Sequence, residues 1–417
     1  MRFHDHHFHP LGYVGMVTGL DLNDAADFDD LARRLADRGD STDSAIIGQR
    51  LNDEGLQERS LPDRSLLDSV SPDRPILVYR YCGHIGIANT AALELAGIRS
   101  GVGDPDGGSI DRGPNGEPTG VVRETALKIV SDALSGMSTG PGSQEILDAF
   151  GRLEDLGIGS VTGMVSAGEP MWCGVGNELE TLIGLATELP IDINVIVITD
   201  TPETLASAAE RIGAAGGRLR FGGWKDFADG SLGGHTAAMH EPFADRPDEV
   251  GMLRLRPARA GAMARASLEL GGDVAIHAIG DRANDEVAEF FEHLTSEGAD
   301  PDRLRVEHAS ILTERTVARF AALGITASIQ PAFLASEEDW LERRLGTVRM
   351  GRAYPFREMA EAGLRLLGGS DCPVEPPDPR IGIKAAVDRH GINPGQALTE
   401  DQALQLFHPP DPPLTRT

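Results

Sequence analysis

The chain has 417 residues, with 65 acidic against 38 basic side chains and a formal net charge of −27. Such a balance repels nucleic acid and anionic membranes, so neither is expected as a partner. Apolar residues make up 40% of the chain, which suits an ordered globular protein; no signal peptide is visible and no apolar run approaches the roughly 18 residues of a membrane span, so a cytoplasmic location is expected.

In chain order, residues 2–9 read as a first β-strand carrying the tract HDHHFHP. Side chains alternate along a strand, so Asp5, His7 and His9 share one face, and His7 and His9 can clasp one ion. Taken alone, the tract could equally be a tag or a surface cluster near a chain end. Residues 20–140, rich in Asp and Gly and leading into the loop SGMSTGPGS at 135–143, are far too long for a simple β/α connection and are expected to form an inserted subdomain. From Ser143 a helix puts Ile146, Leu147, Phe150 and Leu153 on one face and stops at Gly157. Further strands are expected near 159–165, 193–199, 221–228, 273–279, 304–309, 325–331 and 364–370, short apolar runs of the kind buried on both faces. The segments between them read as helices. Thr201 is an N-cap, Pro202 takes the first helical position, Leu205, Ala209 and Ile212 follow at helical spacing, and Gly216-Gly217 closes the element. A last short helix, TEDQALQLF, breaks at His408-Pro409-Pro410.

Eight strands alternating with helices predict an α/β fold, a (β/α)8 TIM barrel of residues 1–19 and 141–408, with 20–140 inserted after strand one and covering the face where the strands end, and 409–417 as a tail. In such a barrel the reactive groups come from the C-terminal ends of several strands. Metal-ligand side chains occur at those ends: Lys225 in FGGWKDFADG, His277 in GGDVAIHAIGD, His308 in RLRVEHAS and Asp371 closing LRLLGGSD. Lysine is otherwise nearly absent, only Lys128, Lys225 and Lys384 standing among the 38 basic residues. A lysine kept in a buried strand invites a chemical reason, because its amine, unlike a guanidinium, can lose its proton and take up carbon dioxide to give an anionic oxygen ligand.

The order of blocks carries a resemblance: the HxHP start, CGHIGIANTAALELAGI at 82–98, DPDGGSIDRGPNGEPTGVVRETA at 104–126, WKDFADGSLGGHTAA at 224–238, VAIHAIGDRAND at 274–285, VEHASIL at 306–312 and GSDCPVEPPDP at 369–379. Together they resemble the amidohydrolase superfamily of metal-dependent hydrolases, in particular amidohydrolase family 3, which includes N-substituted formamide deformylase. The resemblance implies that His7 and His9 bind one metal, that His277 and His308 bind a second, and that Lys225, carboxylated, bridges the two. Asp371 would bind the first metal and handle a proton. The implied reaction is hydrolysis of a non-peptide amide, formamide or related C–N bond of a small molecule by a metal-activated hydroxide, with zinc or another divalent ion as cofactor.

By the same resemblance His84 would reach the pocket to bind substrate or steady the oxyanion, and His235 would contact substrate, although the family more often carries arginine there. Asp281 and Glu307 look like outer partners of the ligands, yet alternation turns Glu307 away from the face of His308 and favours a structural role. Alternatives stay open at several positions. Lys225 could be an ammonium paired with Asp226 or Asp229 over a single metal, Asp371 a pure ligand, and His84 an ordinary satisfied histidine. Cys372, beside Asp371, is expected to be a packed thiol, and with Cys82 and Cys173 it is one of three cysteines too scattered for a disulfide framework. The chain departs from its family at both ends, where the segments of a small β-sandwich are missing. That leaves a minimal active barrel set against a truncated, catalytically inactive remnant or binding protein, with a homo-oligomer open.

Overall fold

A computed structural model of the chain describes residues 2–38, 43–137, 140–168 and 177–410. Cys173, residues 138 and 139 of the 135–143 loop, and the tail beyond Pro410 lie outside the described residues. The chain divides into two compact units, one of Met1–Pro10, Phe150–Glu169 and Asn177–Thr417, the other of Leu11–Ala149 and Pro170–Gly176. The division therefore falls at Pro10/Leu11 and Ala149/Phe150, about nine residues from the expected boundaries on each side. All of the helix Pro10–Thr18 but its first residue groups with the insertion, and its Tyr13 hydroxyl donates to the Ala149 carbonyl, 3.0 Å away.

The strand Phe3–Phe8 (β1) opens the larger unit. The smaller unit holds β2 (Leu20–Asp21), β3 (Ile46–Leu51), β4 (Ile76–Arg80), β5 (Ile85–Ala88), β6 (Gly108–Arg112) and β7 (Pro118–Glu124), in the sheet order β2-β3-β4-β5-β7-β6. Its first three strands are parallel and the rest antiparallel. Alternation distributes the side chains to two cores. Ile76, Val78, Ile85, Ile87 and Val121 join one apolar cluster, while Leu77, Ala88 and Val122 join another.

In the larger unit the chain continues with β8 (Ile158–Ser166), β9 (Asp192–Ile198), β10 (Leu219–Phe227), β11 (Asp273–Ala278), β12 (Leu304–His308), β13 (Thr326–Ile329) and β14 (Arg365–Gly368). With β1 they make one eight-stranded parallel sheet in sequence order, a (β/α)8 barrel with helices between the strands. All eight lie where the apolar runs place them. The helix Pro202–Ala215 shows why the local signals are readable: the Thr201 side chain accepts from the Thr204 amide, Pro202 fills the first turn, and Gly216 ends it at φ 61°. Its buried face is Leu205, Ala208 and Ile212, with Ala208 in place of the expected Ala209.

Closure of the barrel needs the end of β14 to meet β1. The Asp371 amide donates to the His7 carbonyl at 2.8 Å and the His9 amide to the Cys372 carbonyl at 2.9 Å. Gly369 makes this approach possible, since a Cβ there would sit 2.5 Å from the His7 nitrogen. The buried Asp5 carboxylate ties the same corner, accepting from the amides of His7 and Ser370 at 3.1 Å. Among the described residues no helix is long and apolar enough to cross a membrane.

Candidate metal centre

Alternation along β1 turns His7 inward, and His9 follows just past the strand end. Both Nε2 atoms converge on Asp371, whose Oδ1 lies 3.3 Å from His7 and 3.1 Å from His9. The donor atoms of these three residues all fall within 4.8 Å of one another. Asp371 reaches them from a left-handed backbone at φ 56°, a conformation that aspartate tolerates better than most residues. Burial pushes its carboxyl up, but His7, His9 and His308 outweigh that and hold it well below the usual carboxylate range.

His277 from β11 and His308 from β12 adjoin this trio. The His308 ring centroid is 4.8 Å from that of His7 and 4.5 Å from that of His277. All three rings are buried. Burial, followed by the neighbouring His277 and His7, holds His308 well below the ordinary imidazole value; burial also lowers His7, against the pull of Asp371 and Glu307. Neutral imidazole is the form that binds a metal.

The outer nitrogens decide which ring atom is left for an ion. His7 Nδ1–H donates to Glu307 Oε2 at 2.5 Å, His308 Nδ1–H to Gln330 Oε1 at 2.7 Å, and His277 Nε2–H to the Gly230 carbonyl at 2.9 Å. Carboxylate and carbonyl oxygens only accept, so the proton belongs to the imidazole in each pair. The opposite nitrogen of each ring keeps its lone pair. This is the outer-partner pattern of metal-binding histidines, and the donor set fits a divalent ion.

Lys225 sits in β10 at 2% exposure, its Nζ 4.2 Å from the centre of the Phe227 ring. The Phe227 ring in turn lies 5.4 Å from that of His277, centroid to centroid, so Lys225 stands on the His277 side of the cluster. The two acids considered as its partners each hold other donors. Asp226 accepts two bonds from Arg259 at 2.7 and 2.8 Å, and Asp229 accepts from the amides of Ala238, Ile279 and Gly280.

Ligand-type residues from β1 and just past its end, from β11, from β12 and from the segment after β14 thus come together, with Lys225 of β10 nearby against Phe227. The amidohydrolase family model matches residues 3–408. The chain belongs to amidohydrolase family 3. It is 31% identical to YtcJ of Bacillus subtilis, named as an amidohydrolase, over 97% of this chain and 76% of that one. It is 26% identical to the N-substituted formamide deformylase of Arthrobacter pascens, over 87% of this chain and 68% of that one. A crystal structure of an uncharacterized metal-dependent hydrolase from Pyrococcus horikoshii superposes with a TM-score of 0.72 at 29% identity, covering 97% of this chain and 79% of that one.

Within this amidohydrolase several outer residues differ from expectation. Glu307 faces His7, because the regular strand on which the alternation argument rests ends at His308. His308 and Ala309 take φ values of 72° and 46°, so that Glu307 and His308 both touch His7. Asp281 is not beside a ligand: its carboxylate accepts from the amides of His240 and Arg282. The acid next to His277 is Asp229, with Oδ1 3.3 Å from Nε2. Gln330 and the Gly230 carbonyl had no signal in the sequence, since only the pairing of distant strands brings them to their histidines.

His235 lies in the loop after β10. Its Nδ1 accepts from Arg344 at 3.0 Å and its Nε2–H donates to Asp245 at 3.1 Å; burial, then Arg344, lowers it to about 3. A guanidinium does stand at this loop, contributed by a helix far along the chain. Cys372 is buried and its backbone bridges Phe8, consistent with a packed thiol. In the smaller unit His84 Nδ1–H is held by the Glu124 carboxylate at 3.0 Å, with Glu124 fully buried at φ 54°.

Proposed function

We propose that the chain hydrolyses a non-peptide amide, formamide or related C–N bond of a small molecule, in the cytoplasm. His7, His9 and Asp371 would hold one divalent ion, His277 and His308 a second, with a carboxylated Lys225 shared between them. The observation that carries this reading is the fixing of three buried imidazoles by outer acceptors, each leaving a lone pair beside Asp371 or a neighbouring ring. Imidazole and carboxylate donors suit zinc, with manganese, iron, cobalt or nickel as substitutes.

Bound there, such ions would acidify water and polarise the substrate carbonyl. The remaining work falls to the chain. Lys225 Nζ, having lost a proton, attacks carbon dioxide; a C–N bond forms and the second amine proton leaves, giving a carbamate. Asp371 accepts the proton of the attacking water and returns it to the leaving nitrogen. Glu307, Gln330 and Gly230 keep the imidazoles turned to the ions. His84 is assigned to substrate by the sequence resemblance alone; within its own unit its ring is held by Glu124.

The test is the metal content of purified protein by mass spectrometry, with Lys225→Ala and His277→Ala alongside, followed by hydrolysis of a panel of N-substituted formamides and amides. Near two ions per parent chain, lost in part by both variants, is expected. Folded parent protein that binds no divalent ion would falsify the mechanism.

A further inference from the structure

β12 also carries a buried charge pair, Arg305 with Glu307. Arg305 stands two residues before Glu307 on β12, so both side chains leave the strand on the same face. Its Nε donates to Glu307 Oε1 at 2.6 Å, and its Nη2 donates both to Glu307 Oε2 at 3.2 Å and to the His6 carbonyl at 2.9 Å. Exposure is 5% for Arg305 and zero for Glu307. In the sheet, β12 stands three places from β1, with β13 and β14 between them. One guanidinium therefore links two non-adjacent strands, holding the backbone at His6 and the carboxylate that holds the His7 ring.

We infer that Arg305 is a positioning residue for the metal centre, acting through Glu307 on His7. The inference rests on the metal-dependent reading above. A planar guanidinium can grip both oxygens of a carboxylate while donating elsewhere, which a lysine ammonium at the same place cannot match. Without it nothing in the described contacts fixes Glu307 against His7 on the side away from the ring. The property on which Arg305 acts is how tightly the metal is held.

The experiment compares divalent-ion affinity, by zinc competition with a chelator, in the parent, Arg305→Met, Arg305→Lys, Glu307→Gln and the Arg305→Met/Glu307→Gln double variant, with folding followed by circular dichroism. Disturbing an outer partner of a ligand typically weakens metal binding about 10–100-fold, and that loss is expected in Arg305→Met. The double variant should bind about as weakly as Glu307→Gln alone, because the inference routes the effect of Arg305 on the metal through the carboxylate and not through its bond to the His6 carbonyl. Parent-like affinity in folded Arg305→Met, or losses that multiply in the double variant, overturns the inference. Should Arg305→Met not fold, Arg305→Lys decides: weaker binding supports the fork-like grip and parent-like binding refutes it. A parent that binds no zinc instead removes the metal-dependent reading itself.

Discussion

Replacing Gln330 by methionine tests the outer partners without touching a ligand. In the parent, Gln330 Oε1 accepts from His308 at 2.7 Å, while its Nε2 is buried with no hydrogen-bond partner among the described residues. Methionine has nearly the same length and removes both groups. Leaving His308 Nδ1–H without an acceptor costs about 1–3 kcal/mol, and removing the orphaned amide relieves a penalty of about the same size, so the two nearly cancel. Metal-free stability should stay within about 1 kcal/mol of the parent. His308 is then free to turn, and metal affinity should fall about 10–100-fold, or about 1.4–2.8 kcal/mol. Stability gained from a ligand that binds only the folded state follows its dissociation constant. The gain in urea resistance on adding zinc should therefore shrink by that same amount. An undiminished gain, or a metal-free protein weakened by more than about 3 kcal/mol, would show that Gln330 does not orient His308.

Lys225→Arg keeps a long basic side chain but cannot form a carbamate, so bound metal should drop from near two ions to one or none, measured by mass spectrometry; two ions would remove the bridging role. Gly369→Ala places a methyl 2.5 Å from the His7 nitrogen, forcing β1 and β14 apart, and should cost at least about 1–3 kcal/mol in thermal unfolding together with metal binding. An unchanged melting temperature would contradict the close approach. In the metal-free protein, burial first, then Arg305, lowers His6 from the ordinary 6.5 to about 3. A lowered histidine contributes stability that is present above about 6.5 and drains as the pH falls toward about 3, at up to roughly 1.4 kcal/mol per pH unit. Urea midpoints taken from pH 7 down to pH 4 should fall less steeply in His6→Gln; parallel slopes would refute the assignment.

Much of the barrel was legible because its signals are local. A strand buried on both faces must be apolar along its length, and a parallel neighbour requires a helix in between, so runs such as 193–199 and the Thr201-Pro202 start declare themselves. The candidate ligands were legible for a related reason. Alternation puts His7 and His9 on one side, and turn formers after Lys225, His277, His308 and Asp371 mark strand ends. The same rule misled at Glu307, since the backbone leaves strand geometry at His308.

The amino-acid sequence by itself thus determines the eight strands and the long insertion after the first and singles out the candidate ligands, because each depends on neighbours within a few positions. Tertiary structure alone decides which atom of each imidazole is offered. Glu307 reaches His7 across 300 residues, Gln330 reaches His308 across 22, and the Gly230 carbonyl reaches His277 across 47. A hydrogen bond depends on distance and direction in space, and those are set only when the sheet closes on itself through Gly369 and the strands bring their ends together.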